Sequence, residues 1–540
     1  MPAPSSIPLG RKLCFAVIPL IVLLLLGETI ARLTLPRDLK SNRFFYVAGG
    51  HEEYFGTRKL SIPYTVHPPY HWVPAPNTPI TNNKGFRGRD WHEAKPEGLI
   101  RIASLGDSCT LGGQESYSER LDRLLAEALG PGRYEVLNGG VGSSSTHQML
   151  QIFEQYVLPM KPDIAVVFLG WNDRWVHDGR SDSAHQLPTP FQARMRDALA
   201  VSRLFQGLVY FADRSRSSRI EQRVPPAETA RNLRRFARLC RDRGIALHLA
   251  TTPDGMPEDN IRRRFDPAKR QRDWDSDLYD LVQARFDGPV AAWRGLNEEY
   301  NGVVRTTARE EKVSLIDLAA DIEPLRALYP EPPLYFFKDG IHLTELGLQE
   351  LALLLAQGVL PPEDRARVLA YAGSAAYFFT NAYTFARQFQ YPAAEDYLQK
   401  ARALGPLPDG EEALDAEIKR ERPFYERYEN ARIARSLGAP PASVFADYFA
   451  CHQLRPEDAD LRIDTAILAK DAGRCDLALQ LTLGFNQYDG PQWHQALWVA
   501  AECAGRSGER DLLVQILRRL EQLFPNDPRA RQTLNAIGGG

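Results

Sequence analysis

Between residues 98 and 360 short apolar runs alternate with stretches of helical spacing. Ile100-Arg101-Ile102-Ala103-Ser104-Leu105 is mostly apolar and stops at Gly106. Tyr134-Glu135-Val136-Leu137 stops in the same way at Asn138. Ile164 to Leu169 is apolar throughout, as a strand covered on both faces should be, and stops at Gly170. Helical spacing fills the gaps, over Tyr117 to Leu129 and Gln148 to Leu158. Two further strands are predicted at Ile245 to Ala250 and Val313 to Leu318. Glu228 to Arg243 precedes the first as a helix. Leu278 to Ala308 precedes the second, with a break at Gly288-Pro289. Strands alternating with helices imply right-handed crossovers and a parallel α/β sheet. In such sheets ligands bind at the carboxyl ends of the strands.

Polar clusters stand at those ends. Gly106-Asp107-Ser108, Asn138 to Ser145 and Gly170-Trp171-Asn172-Asp173 each follow a strand, and Asp339-Gly340-Ile341-His342 comes later. The topology therefore brings together residues far apart in sequence. A serine hydroxyl is a weak nucleophile until a neighbouring base takes its proton. Ser108 is the candidate nucleophile and His342 the candidate base among eleven histidines. Asp339 lies one turn from His342, in the loop before a helix starting near Thr344, and can orient the imidazole. A tetrahedral oxyanion needs fixed donors, each worth roughly 3 kcal/mol. The candidates are the Ser108 amide, a backbone N–H of the Gly142–Ser143 turn and the Asn172 side chain.

Each cluster alone has a plainer reading. Gly-Asp-Ser is commonly a turn, Asp-x-x-His a helix cap with a surface histidine, and Asn-Asp an Asx turn. Their joint, ordered occurrence, with the first three after strands, selects the catalytic reading. Cys109 follows Ser108 and so points elsewhere, which makes it a packing residue.

Together these blocks resemble the SGNH hydrolases, also called the GDSL-type esterase/lipase family, over roughly Thr81 to Gln357. The family's blocks one, two, three and five are matched by Gly106-Asp107-Ser108, Asn138-Gly139-Gly140-Val141-Gly142-Ser143, Gly170-Trp171-Asn172-Asp173 and Asp339-Gly340-Ile341-His342. Block two departs from the usual Asn-x-Gly-x-x-Gly, because Ser143 stands at the last glycine. A backbone donor survives that change, and Gly142 can take the role with a one-residue shift. The resemblance implies a flavodoxin-like three-layer fold and ester chemistry through an acyl-enzyme, with no metal or organic cofactor.

Length and composition widen the picture. A chain of 540 residues exceeds one domain. A net charge of -2 gives no hint of nucleic-acid binding. None of the six cysteines forms a Cys-x-x-Cys pair, which removes zinc and thioredoxin-like readings. Arg11 and Lys12 precede the apolar run Leu13 to Leu26, and a less apolar stretch with Glu28 and Arg32 continues to Leu35. Without a convincing cleavage site, residues 1–35 read as a signal anchor or transmembrane segment. Basic residues flank both ends, so charge does not set orientation. The expected location is membrane-anchored, with the catalytic part extracytoplasmic, periplasmic or at the cell surface.

Residues 36–97 read as an extended linker wrapping onto an SGNH hydrolase domain at 98–360. In that linker Asn82 to Gly88 reads as a turn at the sheet edge, with Arg87 near enough to meet an anionic substrate. Arg174 to Val224 is a long insertion beside the site, either a lid or a helix on the sheet flank. Trp171 and Trp175 read either as a platform for sugar or acyl groups or as packing. From 361 to 540 the pattern is helical only. Gly438, Gly473 and Gly508 recur at 35-residue spacing, and Pro456, Pro491 and Pro525 follow, a period resembling tetratricopeptide repeats. Tyr383 to Pro406 is a further degenerate unit. Such an all-α repeat domain either binds a protein partner or braces the hydrolase.

The functional expectation is a serine esterase; a small O-acyl group, with a glycan as the alcohol side, is what the family resemblance implies. The alternatives are an O-acyltransferase modifying a cell-surface polysaccharide, since the same site can pass an acyl group to a sugar hydroxyl, and an inactive scaffold recruiting partners through its repeats.

Overall fold

The computed structural model describes residues 9–35, 51–55, 58–62, 64–67, 71–176, 180–185, 195, 199, 202–208, 221–265, 274–329, 336–483, 491–524 and 528–538. Pro525 and parts of the expected linker and insertion lie outside them.

At the centre is a five-stranded parallel sheet. Its strands are β5 (Ile100–Gly106), β6 (Tyr134–Gly140), β7 (Ile164–Phe168), β8 (Ala246–Ala250) and β9 (Ser314–Ile316), in the spatial order β6-β5-β7-β8-β9. The chain steps to one side from β5 to β6 and to the other from β7 onward, so the switch-point crevice opens between the carboxyl ends of β5 and β7. Helices cover both faces, which gives the three-layer α/β architecture. One apolar layer joins Ala103, Leu105, Val167 and Leu249 to Phe153 and Phe236. The other joins Ile102, Val136, Val166 and Phe168 to Tyr117, Leu121 and Leu351. The alternation along β5 and β7 sends successive side chains to opposite layers.

The predicted elements form with local shifts. α3 (Tyr117–Leu129) starts at a full capping box, Ser116 with Glu119. The stretch predicted from Gln148 starts two residues earlier, as α4 (Thr146–Ile152), and ends in a π turn and a 3-10 turn through Met160. The polar cluster at Asn138 is not wholly a turn: β6 runs on to Gly140, and the turn starts at Val141. The expected linker is not simply extended either. It forms two antiparallel hairpins, β1 (His51–Phe55) with β2 (Arg58–Ile62), and β3 (Tyr64–His67) with β4 (His71–Pro74).

After the sheet the chain is helical. Arg120, fully buried on α3, donates to Glu345 (2.6 Å), Gln349 (3.2 Å) and Gln388 (2.7 Å), which ties the sheet layer to the helical region. Gly438, Gly473 and Gly508 each follow a helix with φ between +74° and +79°, the left-handed position where a missing Cβ removes the steric cost. The described cysteines are free thiols, including Cys475 and Cys503.

Candidate active site

β5 ends at Gly106 because nothing larger fits there. A Cβ would stand 1.8 Å from Thr110 Oγ1 and 2.7 Å from the Phe168 carbonyl oxygen. The chain therefore folds tightly into the short helix α2 (Ser108–Leu111), with Ser108 as its first residue. Asp107 fixes this turn, its Oδ1 accepting from the Cys109 N–H at 2.9 Å. Gly140 on β6 is needed for the same reason, since a Cβ there would meet the Leu111 nitrogen at 2.2 Å.

The segment Asp339 to His342 forms a tight Asx turn just before the helix Glu345–Val359. Asp339 Oδ1 accepts from the N–H groups of Ile341 (3.1 Å) and His342 (2.9 Å). This leaves Oδ2 facing His342 Nδ1 at 2.7 Å. With that nitrogen protonated, His342 Nε2 accepts the Ser108 hydroxyl at 2.7 Å. Ser108, His342 and Asp339 thus stand in one hydrogen-bonded line, joined across 234 residues of sequence.

Burial raises the Asp339 carboxyl, but the facing His342 and the hydrogen bonds from His342 and Ile341 outweigh it and hold the group well below the ordinary carboxylate range. The imidazole of His342 moves the other way: its protein surroundings lower it, yet the charge and hydrogen bond of Asp339 raise it overall. Burial pushes the Cys109 thiol far up, helped by Asp107 and Asp339. Its Sγ packs on the Ile341 carbonyl oxygen at 3.5 Å, as a packing residue would.

The candidate oxyanion donors surround this line. Asn172 Nδ2 lies 3.1 Å from both Asp107 Oδ2 and the Ser144 carbonyl oxygen. It therefore stands between the Ser108 turn and the 142–145 turn. The backbone nitrogens of Ser108, Gly142 and Ser143 have no hydrogen-bond partner among the described residues. Ser143, at the block-two departure, has φ +61°, the left-handed conformation that favours glycine. The 142–145 turn is braced from outside: Trp72 Nε1 donates to the Gly142 oxygen (2.9 Å) and Arg223 Nη1 to the Ser143 oxygen (2.9 Å). Neither residue was singled out from the sequence, since each comes from a remote segment with no motif of its own.

Asp173 is fully buried behind Asn172. It accepts from Thr146 N (2.7 Å), Thr146 Oγ1 (2.6 Å) and Thr229 Oγ1 (2.6 Å), and burial lifts its carboxyl to about 7. It locks the Asn172 loop to the start of α4.

Three sequence expectations resolve into structure. Trp171 and Trp175 are buried around the Arg174 guanidinium with Trp293, so they pack and form no open platform. Arg87 is buried and paired with Glu119 on α3 at 3.0 Å. The described part of the insertion at 202–208 packs on the N-terminal helix. Among the described residues no group of three His, Cys, Asp or Glu side chains is placed to hold a metal.

A hydroxyl, an imidazole and a carboxylate in one hydrogen-bonded line, with the hydroxyl at a strand end of a three-layer α/β sheet, are the parts a serine hydrolase requires. Residues 104–349 match the model of the GDSL-like Lipase/Acylhydrolase family. This segment is a GDSL-like lipase/acylhydrolase domain, and the protein is an esterase enzyme. Similar solved structures include the acetyl xylan esterase AlAXEase, at 16% identity and a TM-score of 0.30, over 48% of this chain and 100% of that one. Axe2, an acetylxylan esterase from Geobacillus stearothermophilus, has 16% identity and a TM-score of 0.30 over 48% and 93%. A putative GDSL-like lipase from Parabacteroides merdae has 14% identity and a TM-score of 0.30 over 50% and 96%. Among curated proteins nothing matches the sequence.

Proposed function

We propose that this protein hydrolyses a small O-acyl ester, with a glycan as the alcohol side, through a Ser108-His342-Asp339 triad. The observation that carries the reading is the pair of 2.7 Å hydrogen bonds from Asp339 through His342 to Ser108. Ser108 Oγ attacks the acyl carbon while His342 Nε2 takes its proton. The resulting oxyanion is held by the Ser108 amide, an amide of the Gly142–Ser143 turn and Asn172. His342 then protonates the departing alcohol, leaving the acyl group on Ser108. Water, deprotonated by His342, attacks this acyl-enzyme; as the intermediate collapses, the bond to Ser108 Oγ breaks, His342 returns the proton to that oxygen and the acid is released.

The reading extends to residues 1–35 as a membrane anchor. Helix α1 (Leu9–Thr34) has 26 residues, about 39 Å at 1.5 Å each, against an apolar bilayer core of about 30 Å. Its window Val17–Thr34 has a mean hydropathy of 2.0 and is 6% buried. The catalytic part is proposed to be extracytoplasmic, and residues 361–540 to be a repeat domain offering a protein-binding surface.

The test is hydrolysis of p-nitrophenyl acetate by the detergent-solubilised full-length protein, beside Ser108→Ala. A fall of at least about 10³-fold in the variant is expected. Equal activity in both proteins, or none in either, overturns the reading.

A further inference from the structure

Helix α1 is exposed along most of its apolar surface, with Ile18, Ile21, Leu23, Leu25 and Leu33 all 48% exposed or more. One strip near its C-terminal end differs. Gly27, Glu28, Ala31 and Leu35 share a helix face and receive residues 202–208 of the insertion. Glu28 Oε2 accepts from Ser202 Oγ (2.6 Å) and the Leu204 N–H (3.0 Å). Its Oε1 accepts from the Arg203 N–H (3.0 Å) and from Arg32 Nε (2.7 Å). The contact is close because both sides are small. A Cβ on Gly27 would lie 3.0 Å from Leu204 Cδ2, and one on Gly207 2.5 Å from Leu35 Cδ1.

A carboxylate on an otherwise apolar helix is costly unless its charge finds donors. Helix starts have N–H groups without internal partners. Glu28 and the turn at 203–208 therefore satisfy each other just after the apolar run Leu13 to Leu26, toward the C-terminal end of the window Val17–Thr34. The insertion also has the character of an interfacial element. Met195, Leu199 and Leu208 are exposed, at 48%, 42% and 61%. Between Phe191 and Arg219 the sequence carries six arginines against two aspartates. Apolar side chains interleaved with arginines suit the surface of an anionic bilayer. The root of the insertion is fastened to the site, because Arg223 bonds Ser143 and Asp182.

We propose that the insertion is a second membrane contact. Met195, Leu199 and residues 202–208, docked on α1 through Glu28, sit on an anionic lipid surface and hold the Ser108 site beside it. The proposal rests on the anchor reading of α1, and it gives the enzyme a place of work: esters presented at the membrane surface.

The test uses full-length protein reconstituted into phosphatidylethanolamine/phosphatidylglycerol vesicles with brominated acyl chains. An environment-sensitive fluorescent amino acid is incorporated at Leu24, Leu208 or Leu328, the last being 69% exposed on the hydrolase domain. Quenching at Leu208 is expected to exceed that at Leu328 by about threefold or more. Glu28→Leu and, separately, Gly207→Leu are expected to reduce it to the Leu328 level, with Leu24 still quenched and p-nitrophenyl acetate hydrolysis showing that the domain is folded. Leu208 no more quenched than Leu328, with Leu24 quenched, overturns the second contact and leaves the anchor standing. Leu24 unquenched overturns both. Quenching at Leu208 that neither variant changes overturns the docking through Glu28.

Discussion

Asn172 Nδ2 stands 3.1 Å from Asp107 Oδ2, which links the loop after β7 to the residue preceding Ser108. Its second N–H goes to the Ser144 oxygen. An oxyanion reaching Asn172 must take a donor from one of these acceptors, so the amide is already aimed and needs no reorganisation beyond that exchange. Asn172→Ala should lower kcat by about 10²–10³-fold, with a smaller effect on KM. Asn172→Asp should be worse, because it sets a second carboxylate against Asp107. Steady-state kinetics on p-nitrophenyl acetate decide. An Asn172→Ala variant within a few-fold of wild type would remove Asn172 from the oxyanion site.

The His342–Asp339 pair predicts an acid limb in the pH profile. The proposed mechanism needs neutral His342, whose pKa lies above the ordinary value near 6.5. kcat/KM should therefore fall as pH drops through that raised value. Asp339→Asn should move the limb to lower pH and reduce kcat by about 10³–10⁴-fold. For stability the signs differ. The His342 share is full below its unfolded value and lost as pH rises through the raised one. The Asp339 share is full above about pH 4, the unfolded value, and lost on acidification. An unshifted limb in Asp339→Asn would rule out the coupling.

Asp173 predicts a second pH effect, in stability alone. Its folded pKa of about 7 lies above the unfolded value near 4. Between those values the folded state binds the extra proton, so stability falls as pH rises and then levels off above about 7. Asp173→Asn should flatten this slope when melting temperatures are compared at pH 5 and 7.5. A slope equal to that of wild type would show that another group carries it.

Ser143 tests the departure in block two. Its φ of +61° costs roughly 1 kcal/mol for a residue with a Cβ. Ser143→Gly removes that cost but gains unfolded-chain entropy of similar size, so activity and melting temperature should stay close to wild type. Ser143→Val should lose about 1–2 kcal/mol and much of the activity, since a branched Cβ fits this conformation poorly. Thermal denaturation and esterase assays on the two variants check this. A fully active, fully stable Ser143→Val would mean that the turn tolerates rearrangement.

The Arg120–Glu345 pair predicts how the helical region matters. Both side chains are at most 2% exposed, and Glu345 also accepts from the Gln114 N–H at 2.9 Å. Glu345→Ala leaves the buried Arg120 guanidinium with only the more distant Glu115 carboxylate, at 3.6 Å, a loss of about 3 kcal/mol. Residues 112–116, joined to Gln388, should loosen with it, so hydrogen exchange should rise there as well as in the helix Ala375–Arg387. Unchanged exchange in that helix would separate the two regions energetically.

The sequence by itself determined the strand and helix alternation, because apolar runs such as Ile164 to Phe168 and the capping box at Ser116 are local signals that survive without tertiary help. It also named Ser108 and Asn172, since their polar clusters interrupt that pattern where a parallel sheet places ligands, and Asp339 and His342 as an acid and a base three residues apart. Only the tertiary structure decided the rest. Trp72 and Arg223 reach the 142–145 turn from segments with no motif, and only folding creates those distances. Trp171 and Arg87, readable as substrate contacts, are claimed by Arg174 and Glu119, because burial leaves charged and amphipathic groups to satisfy one another. Glu28 is the clearest case. In sequence it is a flaw in an apolar run; in the fold it is the acceptor that joins the N-terminal helix to the insertion, because a buried or lipid-facing carboxylate persists only where donors from elsewhere in the chain arrive to meet it.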